Sequence, residues 1–287
     1  ILLGRVAKDH PANETVLSEL QTAQQKAGNL VFLEPSSNLL LRNIGSGDDA
    51  LKTGLEVTNY QNGTPISPNG KYLAFMEDTN LVVVELNEGQ EISRKNINID
   101  YGGIDNNSIL AWSLNSEKIA LTVNHLWTSQ GNIALVDVNT NEINYYSTCG
   151  DLDGIRTLAL SNDGEKIALD SSGTLFYGQI SASNCDSVID DLYYATPLTW
   201  SLDGNTIYFS NNSQLFSASI GDSPVSLTPL SPSFRNGIGH IFLAPDNRHL
   251  VFNVNFTDTV YILDLTTLVL YEDIPSDELL WLIGWIP

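Results

Sequence analysis

The sequence predicts an all-β fold in which one four-stranded antiparallel unit is repeated around a single core. Three observations predict it: hydrophobic residues make up 42% of the 287 residues, a polar turn motif returns six times, and its copies are 40 to 48 residues apart. That apolar content is sufficient for a packed core and argues against disorder. All-β chains of this length often form one domain, so a single domain is expected.

The repeated motif is a polar turn between two apolar segments. In its fourth copy, Trp200 and Ser201 are followed by Leu-Asp-Gly and then by an apolar run that contains Ile207. Asp-Gly and Asn-Gly tolerate the positive φ angles of a tight hairpin, so each copy predicts two antiparallel strands joined by a turn. The six copies have at the Ser position, in chain order, Ser67, Ser113, Ser161, Ser201, Ala244 and Ile286, at intervals of 46, 48, 40, 43 and 42 residues.

Two further strands follow each full copy of the motif. The third strand alternates apolar and polar positions, and the fourth is more polar. A unit of about 40 to 50 residues has the length of one four-stranded propeller blade. Third strands are predicted at 81–86, 133–138, 175–180, 215–220 and 260–265, and fourth strands near 91–96, 143–148, 186–190, 224–228 and 268–272.

The turn and its flanks resemble the repeat of TolB-type propellers, a WD-like repeat whose consensus is close to Trp-Ser-Pro-Asp-Gly-Lys-x-Ile-Ala-Phe. The resemblance covers residues 29–287. It departs from the consensus at Ala244, which replaces Ser, at Leu114 and Leu202, which replace Pro, and at Ser116, which replaces Gly. The resemblance implies a closed propeller.

The two ends of the repeat predict how the ring closes. Residues 29–33 match a second strand and 38–42 a third, but no first strand precedes them. Residues 280–287 match a first strand with no blade after it. Pairing the two leaves no open inner edge. The predicted fold is therefore a six-bladed β-propeller of four-stranded antiparallel blades, closed by the C-terminal strand.

Residues 1–28 are expected to be an N-terminal extension that contains a short helix. Val16, Leu17 and Leu20 lie on one face of a helix over residues 13–27, with Asn13 as its N-cap and Gly28 after its end. Covering one end of the propeller is the expected role of this helix, and a partner-binding or linker helix is the alternative.

The charge and hydropathy of the chain narrow the classes of partner. A net charge of −21 repels phosphate backbones and anionic membranes, so nucleic acid is not expected as a partner. No run of 18 apolar residues is present, so the chain is not expected to span a membrane. Its start at Ile1 and its Asn- and Ser-rich surface favour a processed, exported bacterial protein of the periplasm or cell surface, or part of a larger surface protein.

No catalytic, metal or cofactor site is predicted from the motifs. The four histidines lack metal-ligand spacing, and no Gly-x-Ser-x-Gly elbow is present. The Asp151-Leu152-Asp153-Gly154 segment lacks the later ligands of a calcium loop, so it is interpreted as solvated loop charge. Two recurring residue types are given structural roles: core packing for Trp112, Trp200 and Trp285, and turn formation for Asp163, Asp203 and Asp246.

Cys149 and Cys185 are an even pair that an oxidising compartment could join. Cys149 follows the outer strand of one predicted blade, whereas Cys185 precedes the outer strand of the next. This arrangement predicts that they lie at opposite faces, too far apart for the roughly 7 Å between Cα atoms that a disulfide allows. The topology therefore argues against the bond without excluding it.

The connections between blades and the second-to-third-strand turns are the expected binding face, because propellers bind there without disturbing the blades. Aromatic side chains beside carboxylates there suit a sugar, a cationic peptide or a basic protein surface. Ordinary loop composition is the competing interpretation. The predicted ligand-binding residues are Tyr101, Trp127, Asp151, Asp153, Tyr193, Tyr194, Phe234 and Arg235.

Three functions remain compatible with the sequence. A non-catalytic, exported domain that recognises a protein or another extracellular ligand is favoured, with no cofactor. A propeller enzyme, lactonase-like or sugar-processing, with a metal or carboxylate site at the channel mouth is the first alternative. A structural propeller arm of a larger surface protein is the second.

Overall fold

A computed structural model describes most of the chain from Asn29 onward. The described residues are 29–33, 38–43, 51–56, 62–63, 65–77, 80–87, 90–99, 108–123, 133–150, 152, 154–192, 197–211, 213–221, 225–244, 246–255, 257, 259–273 and 281–286. The predicted helix over residues 13–27, and with it the extension over residues 1–28, lies outside them and remains a prediction.

The described strands form six sheets, numbered here in chain order. Within each sheet the strands are called inner, second, third and outer.

Sheet 1 contains β24 (Trp281–Ile286), β1 (Asn29–Leu33), β2 (Asn38–Asn43) and β3 (Leu51–Glu56). Sheet 2 contains β5 (Tyr72–Glu77), β6 (Asn80–Asn87) and β7 (Gln90–Asn98). Sheet 3 contains β8 (Ile109–Trp112), β9 (Lys118–Thr122), β10 (Ile133–Asp137) and β11 (Ile143–Tyr146), with the short β4 (Asn62–Gly63) parallel to β8.

Sheet 4 contains β12 (Ile155–Leu160), β13 (Lys166–Ser171), β14 (Thr174–Gln179) and β15 (Asp186–Ile189). Sheet 5 contains β16 (Leu198–Trp200), β17 (Thr206–Asn211), β18 (Gln214–Ser219) and β19 (Ser226–Pro229). Sheet 6 contains β20 (Ile238–Leu243), β21 (His249–Val254), β22 (Val260–Asp264) and β23 (Leu270–Asp273).

The number of complete blades differs from the prediction. Five sheets contain the four-stranded antiparallel unit, but sheet 2 has three strands within the described residues. The prediction of six four-stranded blades is therefore wrong. At the place of the missing inner strand, Ile66 makes an isolated bridge to Leu73. Pro65 precedes this bridge, and because proline has no backbone N–H, it cannot donate to the strand ladder, although its carbonyl accepts the Ala74 N–H at 2.7 Å.

The predicted closure of the ring is confirmed. The last strand, β24, pairs antiparallel with β1, from Asn29 opposite Ile286 to Leu33 opposite Trp281. The first and last described strands therefore belong to the same sheet, and the predicted third and outer strands occur within a few residues of their predicted positions.

The Ser position of the repeat fixes the turn between the inner and second strands. In sheet 4, Ser161 Oγ donates to Asp163 Oδ1 over 2.6 Å and accepts from the Lys166 backbone N–H at 2.9 Å. The Glu165 N–H also donates to Asp163 Oδ1, at 3.0 Å. Gly164 has a φ of 69°. A side chain thus replaces backbone partners in the turn. Ser67, Ser113 and Ser201 make the corresponding bonds.

These turns lie together on one face of the ring, which we call the turn face. It carries the inner-to-second and third-to-outer strand turns. Neighbouring turns bond to one another: Asn69 N–H donates to Ser116 Oγ at 3.0 Å, and Leu202 N–H donates to Asn247 Oδ1 at 3.1 Å. The opposite face carries the sheet-to-sheet connections and the second-to-third-strand turns, and we call it the loop face.

The core lies between the inner halves of neighbouring sheets. All four residues of β8 and all three of β16 are buried, whereas all four residues of the outer strand β19 are exposed. Trp112 and Trp200 are buried, and each indole N–H donates to a backbone carbonyl of the preceding part of the ring, at Pro65 and Ala159, over 3.1 Å. The predicted core role of these two tryptophans is confirmed.

Candidate functional site

In the described part of the loop face, backbone hydrogen bonds join sheet-to-sheet connections to second-to-third-strand hairpins. The connection after sheet 4 crosses that sheet's own hairpin, where Leu192 N–H donates to Gly173 O at 2.7 Å. The connection after sheet 5 does the same, with Phe234 N–H donating to Ser213 O at 2.9 Å. These contacts fix two connections over the ends of the strands.

Six of the eight predicted binding residues lie outside the described residues. They are Tyr101, Trp127, Asp151, Asp153, Tyr193 and Tyr194. Their place on the loop face therefore remains a prediction.

Phe234 and Arg235 are described and have different environments. Phe234 is half-buried, with its ring centroid 5.5 Å from that of Phe252 and 4.9 Å from that of Tyr261. Such packing anchors the connection onto sheet 6. Arg235, the next residue, is exposed. Phe234 therefore fixes the connection to sheet 6, and the Arg235 guanidinium is exposed beside it.

An ion pair lies at the start of sheet 4, and the sequence did not predict that its two residues meet. Arg156 Nη2 lies 2.8 Å from Oδ1 of Asp170, whose side chain is completely buried, and 3.3 Å from Leu192 O. A Cβ at Gly173 would lie 3.0 Å from Leu192 O, and its φ of 97° favours glycine. The signal that could have found the pair is Asp170 itself, a carboxylate within a buried second strand.

Two polar side-chain atoms on this face are buried without a hydrogen-bond partner. Among the described residues, these atoms are Arg156 Nε and Asn211 Oδ1. Arg156 is the second residue of β12 and Asn211 the last of β17, and both strand ends lie on the loop face. An unpaired buried polar atom costs about 1–3 kcal/mol, so a water molecule or a bound group is expected to pair with each of them.

His240 lies near the same face, in the inner strand of sheet 6. Its ring stacks on Phe242 with centroids 6.2 Å apart, and its backbone N–H donates to Asn253 Oδ1 at 2.9 Å. Burial lowers the pKa of His240 to about 4, because an imidazolium loses hydration there. The imidazole is therefore neutral at neutral pH.

The disulfide between Cys149 and Cys185 is formed, with the two Cα atoms 4.8 Å apart. The expectation that the two cysteines lie at opposite faces is wrong. Successive strands rotate by about 20–25°, so by the outer strand a sheet has turned about 70° and its rim lies nearly in the plane of the ring. The end of one outer strand consequently meets the start of the next.

Hydrogen bonds beside the disulfide also join the outer edges of sheets 3 and 4. Thr148 Oγ1 donates to Ile180 O at 2.7 Å, and Cys149 N–H donates to Ala182 O at 3.2 Å. A Cβ at Gly178 would lie 2.8 Å from Cys185 Sγ, so this position suits glycine. The disulfide thus joins the rim of sheet 3 to that of sheet 4.

A groove of about 230 Å³ opens between the same two sheets. Its wall includes Lys118 and Glu165, whose Nζ and Oε1 atoms are 2.6 Å apart, together with Tyr146. Lys118 and Glu165 belong to the turn face, so the groove opens on that face. Among the residues that the structure describes, no group of three or more His, Cys, Asp or Glu side chains is arranged to hold a metal ion.

No protein-family model matches the chain. No curated protein matches it either. Solved structures share its fold, among them two that cover most of this chain. TolB from Acinetobacter baumannii has a TM-score of 0.64 at 15% identity, over 96% of this chain and 72% of that one. A chain in the nidogen/laminin complex has a TM-score of 0.63 at 12% identity, over 88% of this chain and 96% of that one.

The chain is a β-propeller. The likeness to TolB agrees with the resemblance in the turn motif, and at these identities it shows the fold alone. No helix among the described residues of this propeller is long and apolar enough to cross a membrane.

Proposed function

We propose that this propeller is a non-catalytic, exported binding protein that recognises a protein partner with its loop face. The observation that carries the proposal is the position of the unpaired buried polar atoms. Arg156 Nε and Asn211 Oδ1 both lie at the loop-face ends of strands. A water molecule or a partner that reaches these strand ends can supply the missing hydrogen bonds.

The loop face is also preorganised for binding. Two of its connections are bonded to the hairpins beneath them, at Leu192 and Phe234, so these two described points have little conformational freedom to lose on association. Arg235 is exposed beside the buried anchor Phe234. An exposed Arg next to a rigid aromatic support is a common arrangement in binding hot spots.

The charge of the chain indicates the kind of partner. With a net charge of −21, the propeller attracts a basic protein surface and accelerates its association at low salt. Asp190 and Asp191 are exposed on the loop face, and Asp190 Oδ1 is held by Thr174 Oγ1 at 2.9 Å. The predicted acids Asp151 and Asp153 would extend this acidic surface.

The disulfide supports export. Cys149 and Cys185 are joined, and such bonds persist in oxidising compartments such as the periplasm and the cell exterior. The nidogen/laminin neighbour is a propeller in a protein complex, which is compatible with a binding role for this one.

A peptide-display selection against the immobilised propeller tests the proposal. Selected peptides are expected to be rich in Lys and Arg and to bind with an affinity that falls as salt rises. Trp127→Ala should weaken a selected peptide about tenfold or more, as loss of a hot spot does. Glu117→Ala, on the exposed turn face, is the matched control and should leave the affinity unchanged.

Two outcomes would contradict the proposal. Equal loss of affinity in the Glu117 and Trp127 variants would show that the loop face is not the binding face. A loss of about 3 kcal/mol or more in stability for Trp127→Ala, as removal of a core Trp causes, would show that Trp127 is structural.

A further inference from the structure

The groove of about 230 Å³ lies between facing walls of sheets 3 and 4. One wall consists of alternate residues of three neighbouring strands of sheet 3. Asp137 is opposite Lys118 in the register of β10 with β9, and Leu135 is opposite Asn144 in the register of β10 with β11. Tyr146, two residues beyond Asn144, lines the same wall. The other wall is the turn-face edge of sheet 4.

Cross-links join the two walls at two places. At the first, Lys118 Nζ of sheet 3 lies 2.6 Å from Glu165 Oε1 of sheet 4. At the second, Thr148 Oγ1 donates to Ile180 O at 2.7 Å, and the disulfide that follows Thr148 joins the same two sheets. A groove whose walls are fixed in this way loses little conformational freedom when a ligand enters it.

The floor of the groove is apolar. Leu135 is 7% and Ile180 2% exposed, and both belong to one buried cluster between the two sheets. The half-buried ring of Tyr146 packs against the same cluster. An apolar floor beside an aromatic ring suits the methylene stem of a long side chain and the flat face of its end group.

The charged residues of the groove are mostly acidic. It contains three carboxylates and one ammonium group, that of Lys118, which is paired with Glu165. The other two carboxylates are those of Asp137 and Glu142. Asp137 Oδ1 accepts N–H groups of its own turn, and Glu142 Oε1 accepts from Asn144 Nδ2 at 3.3 Å. Within the described residues, the second oxygen of each of these two carboxylates makes no hydrogen bond.

These features together favour a cation on an apolar stem. The carboxylates repel anions, and the volume lies below the roughly 300–1,000 Å³ of most small-molecule sites, so it fits a single side chain. A guanidinium group donates in one plane to more than one acceptor and stacks on an aromatic ring, whereas an ammonium group has no flat face. Arginine is therefore the side chain that matches both the floor and the carboxylates.

We propose that this groove binds the side chain of an arginine from a partner polypeptide. The methylene stem lies on Leu135 and Ile180. The guanidinium plane lies against Tyr146, and its N–H groups donate to Asp137 and Glu142. The groove opens on the turn face, so this contact goes beyond the proposed function and does not depend on binding by the loop face.

A titration of the full chain with N-acetyl-arginine amide, followed by the NMR signals of the backbone amides, tests this assignment. Saturable shifts are expected in β10 and β11 and at Ile180. N-acetyl-citrulline amide has nearly the same shape without the charge, and it should bind at least about tenfold more weakly because charge-assisted hydrogen bonds are lost.

A charge reversal in the groove tests the role of its carboxylates. Glu142→Lys adds an ammonium group beside the proposed position of the guanidinium and should weaken the arginine probe about tenfold or more. Glu142 is exposed, so this variant should stay folded. Glu117→Lys is the matched control, because it changes the net charge equally at an exposed turn-face residue that does not line the groove. It should leave the affinity within about twofold, since salt screens distant charges.

Four outcomes would overturn the proposal. Equal affinity for the arginine and citrulline probes would show that the groove does not recognise the charge. Equal losses in the two lysine variants would show attraction to the net charge of the chain. Binding that Trp127→Ala abolishes would assign the cation site to the loop face. Absence of saturable shifts in β10 and β11 would also overturn it, without bearing on the loop face, which the peptide selection tests.

Discussion

The turn face and the loop face of this propeller are stabilised in different ways. On the turn face, one Ser–Asp arrangement recurs, as at Ser161 and Ser201, with hydrogen bonds of 2.6 Å to the following Asp. On the loop face, each connection has its own contact: a disulfide at Cys149, an ion pair at Arg156, and aromatic packing at Phe234. Residues that recur build the ring, whereas residues that occur once set the shape of the proposed binding face.

The largest effect should come from the loop-face ion pair. Arg156→Ala leaves the carboxylate of Asp170 buried without its cation, and loss of one partner of a buried pair costs about 3–5 kcal/mol. The Asp170 side chain is completely buried whereas that of Arg156 is 28% exposed, so the cost comes mainly from the carboxylate left unpaired. Urea unfolding followed by tryptophan fluorescence measures the change.

A double variant separates the ion pair from the cavity that the substitution creates. Arg156→Met with Asp170→Asn removes both charges and keeps most of the volume, so it should cost less than Arg156→Ala alone. A greater loss in the double variant would mean that Asp170 is stabilised mainly by its other partners.

Loss of the disulfide should have the next largest effect. Cys149→Ser with Cys185→Ser opens a loop with a sequence separation of 36 residues, and chain entropy predicts a cost of about 3–4 kcal/mol for a loop of that size. Reduction of the unaltered protein should reproduce the shift in the urea midpoint. An unchanged midpoint in both experiments would show that the two rims are held together without the bond.

On the turn face, one substitution should have different effects in two sheets. Ser201→Ala removes the acceptor of the Thr206 N–H and the donor to Asp203, and should cost about 1–2 kcal/mol. Ala244→Ser in sheet 6 should change stability by less than about 0.5 kcal/mol, because His249 already bonds to Asp246 there. Thermal unfolding of both variants measures the difference, and equal effects would refute the compensation by His249.

The pH dependence of stability should also distinguish the two faces. Hydrogen bonds from Ser201 and from the Asn205 N–H lower the pKa of Asp203, so its stabilising contribution is present above about pH 3.9 and is lost as pH falls further. The pKa of His240 is lowered to about 4. The unfolded chain therefore takes up its proton first, and stability declines as pH falls from about 6.5 to about 4.

Two single variants assign these pH windows. His240→Gln should flatten the decline between the two pKa values, and Asp203→Asn should flatten only the decline at lower pH. Urea midpoints measured from pH 7 to pH 3 test both. A decline near pH 5 that persists in the His240 variant would place its origin elsewhere.

The repeat made the turn face predictable from the sequence. Its turns, the third and outer strands, and the pairing of β24 with β1 follow from local patterns that recur at the length of a blade. Sheet 2 was predicted to be complete because its copy of the motif at Ser67 matches the others. Pro65, which lies just before that motif, removes a backbone donor from the inner strand, where Ile66 makes an isolated bridge.

The loop face was predictable only in part, because its contacts join residues that are distant in sequence. The prediction that Cys149 and Cys185 lie at opposite faces treated the blades as flat. The twist that brings the two residues together accumulates over a whole sheet. Phe234 was recognised as an aromatic loop residue, but its packing on Tyr261 depends on the path of the connection over sheet 6. The link between Arg156 and Asp170 likewise appears only in three dimensions.

The closure of the ring also determines how the propeller responds to mechanical force. Asn29 and Ile286 are paired at the same end of two antiparallel strands, so a pull applied at these two residues separates β1 from β24 one hydrogen bond at a time. This unzipping geometry yields at lower force than shear, in which all the bonds are loaded together. A tension that reaches the propeller through its two ends would therefore open sheet 1 first, while the remaining sheets stay folded.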